Sequence, residues 1–226
     1  SSFNLNIQRF FIVSENIHLD VKRPFGPSLG KVNIPKSLIN KINNYIDETI
    51  DKDKIIAEQN DYGPSLAGQV KQEIRLPKNI VEGELLDYLI SITKTYIKIS
   101  CEREITKFEL MSTWVVRQFE NEYNPAHVHG GHISGAGYLK LPESFGNPIQ
   151  EKKPNVHGNI NFIHGTKQFL SSATLTEKPK VGDFYIFPHY LMHSVNPFIG
   201  PGERRSISFN AKVDEEIFSV HSHKKL

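Results

Sequence analysis

The chain has 226 residues, a formal net charge of +2 and a single cysteine, Cys101. That length suffices for one domain with its own hydrophobic core, and the near-neutral charge gives no general argument for nucleic acid or a membrane surface. One cysteine excludes an internal disulfide framework and a cysteine-based zinc site, no stretch reaches the length of a membrane span, and the first residues carry neither block of a signal peptide, so a reducing, cytoplasmic location is expected.

Ile7 to Val13 reads as an opening strand, with Ile17 to Val21 extending it, before Pro24-Phe25-Gly26-Pro27 punctuates a loop. Ser37 is placed to cap a helix over Leu38 to Ile50. Leu38, Ile39, Ile42, Ile46 and Ile50 share one face of it, and Lys41, Asn44 and Asp47 face away. A turn-rich stretch follows from Asn60 to Ser65 and runs into Leu66-Ala67-Gly68-Gln69-Val70. A second helix fits Glu82 to Ser100, its buried stripe made by Leu85, Leu86, Leu89, Ile92, Tyr96 and Ile99.

After Cys101 the period changes to two. From Phe108 to Phe119 both alternating faces are fairly apolar, which predicts a strand covered on both sides. Shorter strands are expected at Gly135 to Leu141, Asn159 to Ile163, Asp183 to Phe187 and Arg205 to Val213. No internal repeat or low-complexity linker divides the chain, so residues 1–226 are expected to form a single domain. Helices early and short strands late predict an α+β fold: a double-stranded β-helix (jelly-roll or cupin-like) core with the N-terminal helices packed on one sheet.

Such a core brings residues distant in sequence to one mouth. His127-Val128-His129 stands near the middle of the chain, His193 follows sixty-four residues after His129, and Arg204-Arg205-Ser206 begins eleven residues after His193. Residues i and i+2 of an extended segment point the same way, so His127 and His129 can reach one ion. Neutral imidazole is the commonest metal ligand. Two histidines alone are a weak pattern, as easily a surface or core pair. The arginine adds a planar fork suited to a carboxylate, and Ser206 a further hydrogen bond. Arg204, Ser206, Ser208 and Asn210 fall on one strand face, opposite Ile207, Phe209 and Ala211. A row of polar side chains reads as a pocket wall more readily than as an exposed strand. Trp114, the only tryptophan, reads as core packing. Asp183 sits in a Gly-Asp turn, His189 reads as a loop residue, His157, His164, His221 and His223 as surface, and the last two with Lys224-Lys225 as a solvated basic tail.

Several segments in order resemble one family. They are Tyr123-Asn124-Pro125-Ala126-His127-Val128-His129, Ser134-Gly135-Ala136-Gly137-Tyr138-Leu139, Gly158-Asn159-Ile160-Asn161-Phe162, Gly182 to Pro188 with Met192-His193-Ser194-Val195, and Glu203 to Asn210. From about Thr113 to Val213 the chain resembles the Fe(II)- and 2-oxoglutarate-dependent oxygenases, in their prolyl-hydroxylase-like branch and near a bacterial and phage group with histidine in place of the usual aspartate. In the first hundred residues only Leu66-Ala67-Gly68-Gln69 is familiar. The resemblance implies a double-stranded β-helix, His127 and His193 as iron ligands, and Arg204 with Ser206 as the anchor of the distal 2-oxoglutarate carboxylate. Tyr138 and Gln118 become further candidates for the cosubstrate pocket.

Most of the superfamily has a carboxylate at the position of His129, completing two histidines and one carboxylate around iron. Here either His129 binds, or it stands aside and leaves a position open, or His132 takes part through the flexible His129-Gly130-Gly131-His132 turn; His129 is preferred. The activity implied is a dioxygenase using Fe(II), 2-oxoglutarate and O2 to hydroxylate an unidentified peptide or small-molecule substrate, a prolyl or other side chain among them, with release of succinate and CO2. The segments Asp61 to Gln69 and Glu143 to Asn155 are long enough to act as lids. The alternatives are a cupin-like metal-binding module without oxygenase activity and a three-histidine dioxygenase that does not use 2-oxoglutarate; Arg204 and Ser206 argue against both. Homodimerisation is left open by the sequence.

Overall fold

The computed structural model describes residues 26–222. The strand expected at Ile7 to Val13, its extension to Val21 and the tail from His223 lie outside the described residues. The elements in chain order are β1 (Gly30–Asn33), α1 (Lys36–Tyr45) continued by a π-helical turn (Ile46–Ile50), α2 (Lys54–Gln59), β2 (Gln72–Arg75), α3 (Lys78–Val81), α4 (Glu84–Cys101), β3 (Phe108–Gln118), β4 (Asn124–His127), β5 (Ile133–Lys140), β6 (Ile160–Ile163), β7 (Thr174–Glu177), β8 (Asp183–Pro188), β9 (Met192–Val195), β10 (Arg204–Val213) and α5 (Glu215–Ser222).

The strands form two antiparallel sheets. The major sheet has six strands in the order β1-β8-β5-β10-β3-β2, and the minor sheet four in the order β4-β9-β6-β7. This is the expected α+β architecture with a double-stranded β-helix core. Helices α1 and α4 cover the outer face of the major sheet. There Leu38, Ile42, Ile46, Leu85, Leu89 and Ile92 join Val115, Phe184, Ile186, Ile207 and Phe209 in one apolar cluster. Each such side chain contributes about 1.5–3 kcal/mol on burial. Gly135 and Gly137 of β5 face this layer; a Cβ on Gly135 would stand 2.6 Å from ring carbons of both Phe184 and Phe209. A smaller cluster, including Tyr138, Phe162, Tyr185, Phe187 and Val195, fills part of the space between the sheets.

Strand β3 is covered on both faces from Thr113 to Gln118, as its two apolar faces predict. The two long helices also form where expected, with differences in detail. Pro35 is the first cap of α1 and no side chain caps it; the Ser37 hydroxyl instead donates to Glu84 Oε1. Asp47 turns inward, accepting from Arg205. Helix α4 starts at Glu84 because Gly83 holds φ at 84°, a left-handed value that breaks the helix. Ile99 is 79% exposed, and Thr93 and Ile97 extend the buried stripe instead. Strands β1, β2, β4, β7 and β9 carry no expectation from sequence. Each has four residues, and β4 includes Pro125, tolerated because β4 is an edge strand. Among the described residues no helix is long and apolar enough to cross a membrane.

Candidate metal centre and anion pocket

The inner face of the major sheet is unusually polar. Cross-strand pairing sets Ser206 between Val116 and Tyr138, Ser208 between Trp114 and Ala136, Asn210 between Ser112 and Ser134, and Arg204 beside Gln118. Strand alternation thus turns Arg204, Ser206, Ser208 and Asn210 inward, while Ile207, Phe209 and Ala211 enter the helix-covered layer. A cavity of about 300 Å³ opens between the sheets, and all four polar residues line it.

Three histidines converge on the same cavity. Strands β4 and β9 pair His127 directly with His193, and their ring centroids are 4.4 Å apart. His129 follows the end of β4, held by its backbone N–H donating to the His189 carbonyl at 2.9 Å. Its ring stacks on that of His193 at 4.9 Å and on Trp114 at 5.7 Å. One ring nitrogen from each histidine lies within 4.8 Å of the others, and His129 Nε2 is 3.1 Å from His193 Nε2. Ligand atoms about 2.1 Å from a common ion at right angles stand roughly 3 Å apart, so this pair fits adjacent ligand positions.

Backbone carbonyls orient two of the rings. His127 Nδ1 lies 2.8 Å from the Pro125 carbonyl and His193 Nδ1 2.9 Å from that of Leu191. A carbonyl only accepts, so each Nδ1 carries the proton and each Nε2 keeps its lone pair for a metal. The His129 ring bonds the Asn210 side chain, whose oxygen also accepts from Ser134. Burial, then the neighbouring imidazoles, push His129 down to about 3, and burial and His127 push His193 down to about 4. Both rings are neutral near pH 7, the form that coordinates metal.

These shifts set a pH dependence. Between the unfolded value of about 6.5 and the folded values near 4 and 3, the native state binds fewer protons than the unfolded state. The stability contributed by the neutral rings is complete above about pH 6.5 and is lost as pH falls through the folded values. Denaturant midpoints of the metal-free protein should therefore fall from pH 6.5 toward pH 4, and His129→Phe should flatten that slope; an equal slope in both proteins would contradict the assignment.

Arg204 is 2% exposed. Its Nε donates to the Gly158 carbonyl at 3.1 Å, its guanidinium lies 4.9 Å from the Tyr138 ring centroid, and among the described residues Tyr138 is the only side chain that acts on its charge besides burial. Among the described residues no carboxylate pairs with it. Arg205 is the contrast. It points to the other face, donating to Glu203 at 2.8 Å and Asp47 at 2.7 Å, and Arg117 joins Glu203 at 2.7 Å. Burial alone would raise the Glu203 carboxyl, yet the bonds from Arg205 and Arg117 hold it at about 2. One arginine is neutralised by the fold; its sequence neighbour is left as a free buried cation.

Other expected residues fall apart from this centre. Gln118 does not line the cavity: its amide donates to the Glu122 and Asn196 carbonyls. Tyr138 stands behind Arg204 and also does not form the cavity wall. His132 faces away, accepting from the Val213 backbone at 3.1 Å and stacking on Phe218 at 3.9 Å. Asp183 pairs with Lys31 at 2.7 Å, and His189 is a turn residue bonded to the His129 carbonyl. Of the two loops, Tyr62 and Ser65 to Gly68 line the cavity, whereas Glu143 to Gly146 border a separate depression. Trp114 is buried as expected but also forms cavity wall. Sequence reasoning missed Glu73 and gave Asn124 no role of its own, and both line the cavity too; the short strand carrying Glu73 has no periodic signal.

Fold and site together are similar to one class, the Fe(II)- and 2-oxoglutarate-dependent dioxygenases. Residues 112–210 match the family model described as "Putative 2OG-Fe(II) oxygenase". No curated protein matches the sequence. Among solved structures, the chain is similar to the viral collagen prolyl hydroxylase of Paramecium bursaria Chlorella virus-1 in complex with 2-oxoglutarate, at 17% identity and a TM-score of 0.52, covering 81% of this chain and 94% of that one. A prolyl hydroxylase from Trichoplax adhaerens, in complex with a hypoxia inducible factor peptide fragment, is similar at 12% identity and TM-score 0.52, covering 86% and 87%. HygX from Streptomyces hygroscopicus, with nickel, 2-oxoglutarate and hygromycin B bound, is similar at 9% identity and TM-score 0.51, covering 82% of each chain. At these identities the likeness establishes the fold.

Proposed function

We propose that His127, His129 and His193 hold Fe(II), that Arg204 and Ser206 receive the distal carboxylate of 2-oxoglutarate, and that the chain hydroxylates a peptide side chain, prolyl among the choices, or a small molecule. The observation that carries this is Arg204: a cation 2% exposed, on the wall of the cavity that holds the histidines, with no carboxylate partner among the described residues. A buried cation left unpaired is costly. A dicarboxylate with one end on the histidine-held metal and the other on Arg204 removes that cost. A plain metal-binding module, or a dioxygenase without 2-oxoglutarate, has no use for this anchor.

When bound, Fe(II) with 2-oxoglutarate and O2 supplies the oxidising chemistry, inserting one oxygen atom into a substrate C–H bond as 2-oxoglutarate becomes succinate and CO2. The residues do the rest. The Pro125 and Leu191 carbonyls keep the imidazoles in the coordinating tautomer. Asn210 fixes His129, and Trp114 stacks against it. Arg204 and Ser206 set the direction of the cosubstrate, and Tyr62 to Gly68 shield the cavity from water. No protein acid or base is needed, consistent with a centre of histidines and an arginine. With His129 in place of a carboxylate the ligands are all neutral, so the metal keeps its full +2 charge for 2-oxoglutarate to balance.

Fold neighbours include prolyl hydroxylases, one of them bound to a peptide, and a protein bound to hygromycin B, so the fold admits both substrate sizes. The test is succinate formation from 2-oxoglutarate with Fe(II), with and without peptide and metabolite panels. The expected outcome is iron-dependent succinate that rises with a matching substrate; no anaerobic binding of 2-oxoglutarate to the metal-loaded protein would sink the proposal.

A further inference from the structure

We infer that Glu73 and Asn124, brought together at Gly68 on the β2 side of the cavity, form a recognition site for a cationic nitrogen group of the substrate. The inference rests on the oxygenase reading above and names the chemistry of the substrate that reading leaves open.

Strand β2 is an edge strand of the major sheet. Its register pairs Glu73 with Val116, and Val116 pairs in turn with Ser206. Glu73 therefore lies in the same row as Ser206, two strands away. At about 4.8 Å per strand that is roughly 10 Å, a span a small molecule or one side chain can bridge. Glu73 is 3% exposed, lines the cavity, and its carboxyl makes no hydrogen bond or ion pair among the described residues. Asn124 faces the same point: a Cβ added to Gly68 would meet Asn124 Oδ1 at 2.6 Å and Glu73 Oε1 at 2.8 Å. Two oxygens thus converge where the chain has no side chain to satisfy them.

The surrounding charge has one sign. Asp61 is the charged neighbour that acts on Glu73; burial first and Asp61 second raise the Glu73 carboxyl to about 7. Asp61 Oδ1 accepts from the Gly63 N–H at 3.1 Å and forms no ion pair among the described residues. Arg75, two residues along β2, is exposed and lies over the Tyr62 ring at 5.2 Å. An anionic group seated here would be repelled by the acid pair, and a neutral group would leave its charge unbalanced when ionised; an ammonium or guanidinium both bonds the carboxyl and holds it ionised. Strand β10 supplies the opposite pole through Arg204, which the anionic cosubstrate occupies. The cavity thus has a cation on one side and a titratable acid on the other, with the histidines on its wall.

The test compares wild type with Glu73→Gln, each loaded with Ni(II) and 2-oxoglutarate so that no turnover occurs. Ligand-observed NMR measures binding of lysine-containing peptides and of amino sugars, each beside its N-acetylated form; the two arms distinguish a peptide source of the cation from a small-molecule source. The expected result is at least about tenfold tighter binding of the free amine in one arm, with that preference erased in Glu73→Gln. Equal binding of free and acetylated forms, no binding in either arm, or an undiminished preference in Glu73→Gln overturns the inference. Collapse of 2-oxoglutarate affinity in Glu73→Gln would also overturn it, by marking Glu73 as a support of the metal centre. If Glu73→Gln does not fold, the wild-type comparison still decides. Failure of 2-oxoglutarate to bind the wild type overturns the oxygenase reading and this inference with it, whereas 2-oxoglutarate binding without amine preference overturns the inference alone.

Discussion

Arg204→Met should weaken 2-oxoglutarate binding by at least about 30-fold while leaving the metal in place. Losing one partner of a buried, hydrogen-bonded charge pair costs about 2–5 kcal/mol, and each 1.36 kcal/mol is a factor of ten. Anaerobic titration of the metal-loaded protein measures this directly. A damaged fold is separable from a lost anchor because the two predict opposite changes in the ligand-free protein. Among the described residues Arg204 has no carboxylate partner to abandon, and its guanidinium is fully desolvated, so methionine should leave the melting temperature unchanged or raise it. Arg205→Met is the control with the reverse signature. It strips Asp47 of its cation and leaves Glu203 with Arg117 alone, so it should lower the melting temperature and leave 2-oxoglutarate affinity nearly intact. Unchanged affinity in Arg204→Met would place the anchor elsewhere.

The second large effect is on the metal. His193→Ala should abolish Fe(II) retention. Loss of a hydrogen bond that merely supports a ligand already costs about 10–100-fold in metal affinity, and loss of the ligand should exceed that. His129→Ala should behave alike, and His129→Asp should restore retention, because a carboxylate there completes the commoner two-histidine, one-carboxylate set. His132→Ala should keep its metal, since His132 faces Val213 and Phe218 instead of the centre. Metal content after dialysis reads all four. Full occupancy in His129→Ala would show that two histidines suffice and that His129 serves only as stacked wall between Trp114 and His193.

Much of this was legible in the chain. The 3.6-residue spacing of Leu38, Ile42, Ile46 and Ile50, and of Leu85, Leu89, Ile92 and Tyr96, marks two helices with one buried face each, because a long element repeats its pattern often enough to be read. The two fairly apolar alternating faces of β3 signalled cover on both sides, which holds from Thr113 to Gln118. Strand period put Arg204, Ser206, Ser208 and Asn210 on one face, and that row taken together with the histidines predicted a pocket wall. It also separates Arg204 from Arg205, although which of the two the fold leaves unpaired depends on Glu203, Asp47 and Asn43, and those contacts span up to 162 residues.

What sequence determined by itself was periodicity: which residues share a face, and that three histidines and an arginine of suitable chemistry exist. Only the tertiary structure decided which of them meet. The pairing of β4 with β9 sets His127 beside His193, and the turn after β4 brings His129 to them while His132 departs toward α5. Gln118 and Tyr138 lie on the expected strands but not on the cavity, because neighbouring groups claim their side chains. Glu73 reaches the cavity from a four-residue edge strand without a readable pattern. The physical reason is range: periodicity arises from bonds between near neighbours along the chain, whereas register, burial and the pairing of charges arise from contacts between segments far apart in it.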